Sequence, residues 1–589
     1  MNSSTAPSPT IVDAWWICMP PDERDTVGLR DTVAESGERR PRVTGRPLPQ
    51  PTLRSAEFWA SGADGVLRIA RCEACGRLSH PRPPMCPHCR SRDVTMSPVT
   101  GRGVVVAVTV NEQQWLPAFP APYIIAIVAL EEDSAARLTT NIVGCDPGDV
   151  GVGTRVRVTF EQAAADIWIP LFELDDERPD EGPIPEPEDL SARSRPMASP
   201  DKFEERVAIT GIGQSEVGRR LMVDPLTLTV DACEAAVADA GLRFEDIDGL
   251  ATYPGGPIGG GLTEGGTMPV EEILRIRPTW VSGGNEFPGQ NGSIIAAMLA
   301  VASGLCRHVL CYRTVWESSH AAMVRDGRWV VPDARATGMT EHRAPYGAMS
   351  PANWIALCAS NYFHRYGGSR ETLGAIAVTA RQHAAANPEA VYREPITMDD
   401  YLGARMISSP FGLYDCDVPV DGAVAVVVSA VDYATDGPNP PVFVEAVGTQ
   451  IMETLSWDQG TLTHLPQSLG PSKHLWTRTD CSPDDVDVAL LYDGFTFNAL
   501  SWLEALGFCE LGGAADFIGD GDAIRLGGRL PVNPHGGQLS AGRLHGYGFF
   551  REAVRQLRGH ADSRQVPDAE LAVVTAGGGV PSGAILLRR

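Results

Sequence analysis

The chain has 589 residues, 43% of them hydrophobic and 21% charged, which suits a soluble globular protein but is too long for one core, so two or three domains are expected. A formal net charge of −25 opposes a nucleic-acid partner, because phosphate would be repelled. The most apolar run, "SIIAAMLAVASGL" (293–305), is too short to span a bilayer, and the start "MNSSTAPSPTIVDAWW" lacks the pattern of a signal peptide. A cytoplasmic protein with no membrane span is therefore expected.

Residues 1–46 carry no readable pattern and are taken as an extension. Next, within 47–95, "CEACGRLSHPRPPMCPHC" spaces Cys72, Cys75, Cys86 and Cys89 as C-x2-C-x10-C-x2-C. Each C-x2-C turn points two thiolates at one ion, and four thiolates close a tetrahedral zinc site with no position left for water. The expected Zn2+ is therefore structural, and His80 and His88 are surplus to it. Within 96–175, "GRGVVVAVTV" (101–110), "YIIAIVAL" (123–130), "RLTTNIVG" (137–144) and "TRVRVTFE" (154–161) read as short strands with turns between them. They predict a small five-stranded barrel.

The order of helix ("SAEFWASGADG"), four-cysteine ribbon and barrel ending "GCDPGDVGVGTRVRVTFE" resembles the zinc-ribbon/OB-fold family found beside thiolase-like enzymes. That resemblance implies acyl-CoA chemistry, with the module as a partner subunit or a fused domain. A linker is expected over 176–204, because "DDERPDEGPIPEPED" (175–189) holds eight acidic residues and four prolines and should be extended and solvated.

From 205 to 589 the sequence repeats itself. "RVAITGIGQ" (206–214) is echoed by "PVFVEAVGTQ" (441–450), and "FEDIDGLATY" (244–253) by "PDDVDVALLY" (483–492). "NGSIIAAMLAVASGLCRHVLCYR" (291–313) pairs with "HGYGFFREAVRQLRG" (545–559) and the strand "ELAVVTAGGG" (570–579). Three echoes in one order indicate a duplicated α/β unit. In "DPLTLTVDACEAAVADAG", Asp224 is placed to cap a helix, Pro225 to open it and Gly241 to end it.

This duplicated unit resembles the thiolase fold, a five-layer αβαβα arrangement, and within it the sterol-carrier-type branch. "LLYDGFTFNAL" (490–500), "NPHGGQLSAGRLHGYG" (533–548) and "VVTAGGGVPSG" (573–583) stand where that branch carries its three active-site motifs. The family's nucleophilic cysteine opens a helix whose N-terminus lowers the thiol pKa. Here that position, in "EFPGQNGSI", falls at Gly289, followed by Gln290, Asn291 and Gly292. The second cysteine falls at Thr575, the catalytic histidine at Arg543, and the histidine opening the first motif at Tyr492. Cys306, Cys311 and Cys416 read as packed residues, so thiolysis through an acyl-enzyme is not expected.

A thiolase-type pocket without its nucleophile still suits an aldol or retro-aldol reaction, which needs proton transfer and oxyanion donors but no covalent intermediate. The closest resemblance is to the thiolase-like aldolases that shorten steroid side chains and rely on tyrosines. It implies cleavage of a bulky 3-hydroxyacyl-CoA into a ketone and a short acyl-CoA, with CoA entering as part of the substrate. Tyr492, His545, Tyr547 and Arg543 are the candidate catalytic residues. Relatives carry a tyrosine where Arg543 stands, which leaves the second acid/base open. Tyr253 is the repeat partner of Tyr492, Asp493 reads as an orienting residue, and the glycines Gly536, Gly537, Gly546 and Gly577 to Gly579 permit close backbone approach. Two other readings remain: a thiolase or acyltransferase with an unrecognised nucleophile, and a non-catalytic acyl-CoA or lipid carrier. The fold resemblance also implies a homodimer.

Overall fold

The computed structural model describes residues 45–116, 119–184, 194–253, 263–283, 289–328, 335–452, 469–577 and 582–589. Residues 1–44 of the expected extension, 185–193 of the linker, and Gly578 and Gly579 lie outside the described residues.

A short helix α1 (Ala56–Trp59) leads into a ribbon of β1 (Arg68–Cys72), β2 (Leu78–Ser79) and β3 (Val94–Pro98), ordered β2-β1-β3. The barrel follows as β4 (Arg102–Asn111), β5 (Tyr123–Leu130), β6 (Arg137–Thr140), β7 (Arg155–Ala164) and β8 (Ile167–Leu174). β8, "IWIPLFEL", has no alternation to read in sequence because most of it is buried and Pro170 interrupts it. It closes the barrel through the Ile142–Phe172 bridge and the Thr140 hydroxyl, which donates to Pro170 O at 3.0 Å. The first part of the expected linker is docked rather than solvated. Asp175 is buried and accepts from Arg102 at 2.7 Å, and Gly182 N donates to Gly153 O at 2.8 Å, while Asp176, Glu177 and Asp180 stay exposed.

The large domain opens with β9 (Val207–Gln214), α2 (Pro225–Asp239), β10 (Gly249–Thr252), α3 (Thr267–Leu274), β11 (Trp280–Gly283), α4 (Gly292–Ala302), β12 (His308–Trp316) and α5 (Glu317–Arg325). Asp224 caps α2 as expected, accepting from Leu226 N and Thr227 N. An excursion of α6 (Pro351–Tyr366), α7 (Arg370–Ala385), α8 (Met398–Gly403) and the hairpin β13 (Met406–Ser408)–β14 (Phe411–Gly412) then returns to β15 (Asp421–Ala430). The second half runs β16 (Val442–Gly448), α9 (Leu469–Trp476), β17 (Val488–Leu490), α10 (Thr496–Ala505), α11 (Ala514–Ile518), α12 (Gly537–Ser540), α13 (Tyr547–Arg558), β18 (Leu571–Ala576) and β19 (Gly583–Arg588).

Strand order makes the duplication explicit. The sheet runs β11-β10-β12-β15-β9-β16-β19-β18-β17, so β10-β12-β15-β9 is mirrored by β17-β18-β19-β16. In each half the outer pair is parallel and the next two pairings are antiparallel. Among the described residues, the strands of the two halves are joined by the short ladder of Val442 with Ile209 and Phe443 with Ala208. Along β15, Val424, Val426 and Val428 pack with Ile294 and Met298 of α4, whereas Ala423, Ala425 and Val427 pack with Ala232 and Ala236 of α2. Burial on both faces explains the unbroken apolar run of this strand. With α9 against β16 and β19, and α13 touching strands of both halves, the layers follow the expected αβαβα order.

The barrel sits on α6 and on the β13–β14 hairpin, which leads straight to Asp415 and Asp417. Ser408 pairs with Asn111 of β4, the Thr109 and Ser408 hydroxyls meet at 2.8 Å, and Asn361 Nδ2 donates to Val106 O at 2.7 Å. Ahead of α1, the Arg46 side chain donates to Asn141 Oδ1 at 2.7 Å and to Pro345 O at 2.9 Å.

Candidate active site

The N-terminus of α4 meets the end of β18 and the loop before α13. Gly289 has φ +66, and a Cβ added there would lie 2.7 Å from Ala576 O and 3.0 Å from Gly583 N. Those neighbours are backbone and cannot swing away. The position expected for a nucleophilic cysteine thus has no room for a side chain. Thr575, at the second cysteine position, is structural: its hydroxyl accepts from Tyr492 N at 2.7 Å. Beside it, the buried Asn291 amide and Gln290 Oε1 make no hydrogen bond among the described residues. Polar atoms buried in this way are costly unless something polar meets them.

Tyr492 leaves the end of β17 with 5% of its surface exposed. Burial pushes its phenol up, the charges of Asp417 and Glu317 add to this, and Arg543 opposes it. The next residue, Asp493, is fully buried, and burial raises its carboxyl to about 7 although Oδ1 accepts from Gln538 N at 2.8 Å. Asn533 braces both from behind by exchanging two 2.8 Å hydrogen bonds with the Leu491 backbone. Only glycine suits position 537, where a Cβ would fall 1.8 Å from Asp493 Oδ2.

Arg543 is the hub. Its Nε donates to Glu317 Oε2 at 2.7 Å, a second nitrogen reaches the same oxygen, and the third donates to Asp417 Oδ1 at 3.1 Å. Glu317 is the first residue of α5 and Asp417 follows the hairpin, so side chains distant in sequence converge on one guanidinium. His545, held at φ +49, lies alongside: Arg313 donates to its Nδ1 at 2.7 Å, and its Nε2 is 3.8 Å from Glu317 Oε1. Arginine has no acceptor, so the imidazole proton is assigned to Nε2. Burial, then Arg313 and Arg543, hold the ring well below the usual histidine pKa, so it stays neutral.

The structure therefore brings Tyr492, Arg543 and His545 together around Glu317 and Asp417. Tyr547 stands apart. It is fully buried at the start of α13, its hydroxyl is 2.6 Å from Ser293 Oγ, and burial pushes its phenol well up. Tyr253 covers Arg313, 5.1 Å from guanidinium to ring centre. Sequence reasoning missed Glu317, Asp417 and Arg313. The available signals were a charged residue ending each apolar run in "CYRTVWE" and the second aspartate of "LYDCDVPVDG".

At the other end of the chain, the sulfurs of Cys72, Cys75, Cys86 and Cys89 all lie within 4.8 Å of one another, with Cys72–Cys89 at 3.5 Å and Cys75–Cys86 at 3.7 Å. A tetrahedron with metal–sulfur bonds of about 2.3 Å has sulfur edges of about 3.8 Å. The four thiols fit that ion. His80 is not among them; it packs against Phe58 and His342.

Residues 59–95 match the family described as ChsH2, rubredoxin-like zinc ribbon domain, and 97–161 match ChsH2, C-terminal OB-fold domain. Residues 469–587 match Thiolase C-terminal domain-like. The chain is 36% identical over 387 residues to the "Steroid side-chain-cleaving aldolase" of Thermomonospora curvata, covering 64% of this chain and 97% of that protein. It is 36% identical over 388 residues to the "17-hydroxy-3-oxo-4-pregnene-20-carboxyl-CoA lyase" of Mycobacterium tuberculosis, covering 65% and 99%. Among solved structures, the "Ltp2-ChsH2(DUF35) aldolase" superposes with a TM-score of 0.57 at 34% identity, over 65% of this chain and 98% of that one.

Proposed function

We infer the function from the family to which the chain belongs, the thiolase-fold steroid side-chain-cleaving aldolases: it is a carbon–carbon lyase. The substrate is a bulky 3-hydroxyacyl-CoA with a tertiary alcohol, split by retro-aldol cleavage into a ketone and a short acyl-CoA. CoA belongs to the substrate. On the steroid thioester named for the M. tuberculosis relative, this chemistry yields a 17-ketone and propanoyl-CoA.

One observation carries the choice of mechanism. Backbone fills the nucleophile position at Gly289, while a buried phenol, two carboxyl groups and a guanidinium converge a few residues away in space. Such a site moves protons and stabilises an oxyanion without an acyl-enzyme. Tyr492 supplies the phenol, and Arg543 fixes the charge around it. His545 offers its Nε2–H, and Asn291 its amide, as donors for the thioester oxygen. Tyr547 supports the floor through Ser293. Cys311 is fully buried and its thiol is driven upward by burial, so it does not replace the missing nucleophile.

In the N-terminal ribbon, the four cysteines hold a structural Zn2+. A homodimer forms through the edge strand β11, where Val281 is exposed together with Met268 and Ile273 of α3 and Leu299 of α4. No helix among the described residues is long and apolar enough to cross a membrane.

Product analysis by mass spectrometry tests the reading. The full-length protein should convert the tertiary 3-hydroxyacyl-CoA to a ketone and a short acyl-CoA, and should leave a 3-ketoacyl-CoA with free CoA untouched. Two acyl-CoA products from the ketoacyl substrate would overturn it in favour of thiolysis.

A further inference from the structure

Resting on the aldolase reading, we propose that Asp417 is the general base that takes the proton of the substrate's tertiary hydroxyl, the role left open where Arg543 replaces a phenol. Charge and geometry carry this assignment. Arg543 contacts two carboxyl groups, and both are nearly buried, with side-chain exposures of 5% for Glu317 and 8% for Asp417. One guanidinium is shared between two buried carboxyl groups, so the more weakly held of them is the readier to exchange a proton.

The two carboxyls are not equivalent. Glu317 takes two nitrogens of the Arg543 fork and faces His545 Nε2, whereas Asp417 has a single contact at 3.1 Å. Glu317 is thus the fixed counter-ion, and Asp417 is the group that exchanges the proton. Burial raises its carboxyl to about 7, Arg543 opposing and Glu317 adding. Asp493 and Tyr492 are the other titratable groups facing it.

Its backbone is also fixed. Two residues earlier, Asp415 accepts from the Tyr401 hydroxyl at 2.7 Å, from Thr496 at 2.6 Å and from Gly412 N at 2.7 Å. Asp417 N donates to Gly494 O at 3.1 Å, which ties the base to the segment carrying Tyr492.

The step balances without a co-reactant. The Asp417 carboxylate removes the hydroxyl proton, and the O–H electron pair becomes the second bond of the ketone carbonyl. The breaking carbon–carbon pair moves onto the thioester as an enolate, and the Tyr492 phenol gives its proton to the α-carbon. Proton return from Asp417 to the Tyr492 phenolate resets the site. Asp417 must be ionised to begin, so turnover should rise with pH through about 7 and then level off.

The test measures kcat against pH for the full-length protein on the CoA thioester of a 17-hydroxy-3-oxo-4-pregnene-20-carboxylate, with melting curves as a folding control. D417N should lose about 100-fold or more in kcat and lose the rising limb near neutral pH. D417E should keep that limb, with kcat within about tenfold of the native enzyme. A D417N residual rate that still climbs through pH 7, or a native profile without the limb, would overturn the assignment; the latter holds even if D417N fails to fold. A native enzyme inert on this thioester would instead sink the aldolase reading itself.

Discussion

At the scale of single residues, the site is defined by what backbone geometry forbids and what buried charge demands. Gly289 combines φ +66 with a 2.7 Å approach of any Cβ to Ala576 O, so introducing a thiolase-type nucleophile by mutation should fail. Gly289→Cys is expected to melt at a lower temperature and to form no acyl-enzyme with a 3-ketoacyl-CoA, since an L side chain at positive φ costs about 1–2 kcal/mol before the clash is counted. Intact-protein mass spectrometry decides this: an acyl adduct on the introduced thiol would show that the turn can open. The departures at positions 289, 492, 543 and 575 were all visible in sequence, because aligned motifs expose a changed residue directly. What was not visible is why Arg543 is tolerated. Its partners lie 226 and 126 residues away, and no local pattern announces a pairing created only when α5, the hairpin and the loop before α13 converge. The same holds for His545, whose neutral tautomer depends on Arg313, 232 residues distant.

At the scale of elements, strands with alternating faces and a duplicated order were legible, whereas β8 was hidden by burial and by Pro170. The junction between α1 and the segment before α6 was equally hidden, because it is built from aromatic contacts across the chain. His342 stacks on Trp59 at 5.2 Å, meets Phe58 at 5.5 Å and His80 at 4.7 Å, and Glu341 beside it accepts from Trp59 Nε1 at 2.8 Å. Burial, then Arg343, lowers His342 to about 4, and burial, then His342, holds His80 well below the usual range. A histidine depressed in the folded state binds fewer protons there than in the unfolded chain. Its stabilising contribution is therefore complete above about pH 6.5 and lost as pH falls towards 4. Melting temperature should drop through that window, and His342→Phe should show a shallower drop than the native protein. His383 and His535, lowered to about 4 and about 3, add to both slopes, so the difference between the two proteins is the readout. Identical slopes would remove His342 from the account.

At the scale of the whole molecule, the zinc-ribbon and barrel module and the thiolase-like domain share an apolar interface and a hydrogen-bonded seam. Val106, Ala107, Ile125, Ile127 and Ala129 of the barrel pack with Ala348, Trp354 and Leu357 of the large domain in one cluster. Asn353 Nδ2 donates to both Asn111 Oδ1 and Ser408 Oγ at 2.9 Å, and Tyr123 OH donates to Gly347 O at the same distance. Without the barrel Asn353 Nδ2 would lose Asn111, Gly347 O would lose its donor, and the apolar face of α6 would meet water, each an unfavourable change. The damage would not remain local, because β13 pairs with β4 and the chain runs from that hairpin through Asp415 to Asp417. Deleting residues 1–175 is therefore expected to lower solubility and to cost at least about 100-fold in kcat, the magnitude of a lost general base. Supplying residues 45–184 as a separate chain should restore part of the activity, since the seam holds no covalent link other than the tether. Full activity of the deleted protein, measured by ketone release, would show that the α6 and hairpin region keeps its geometry unaided and that the barrel serves some other purpose.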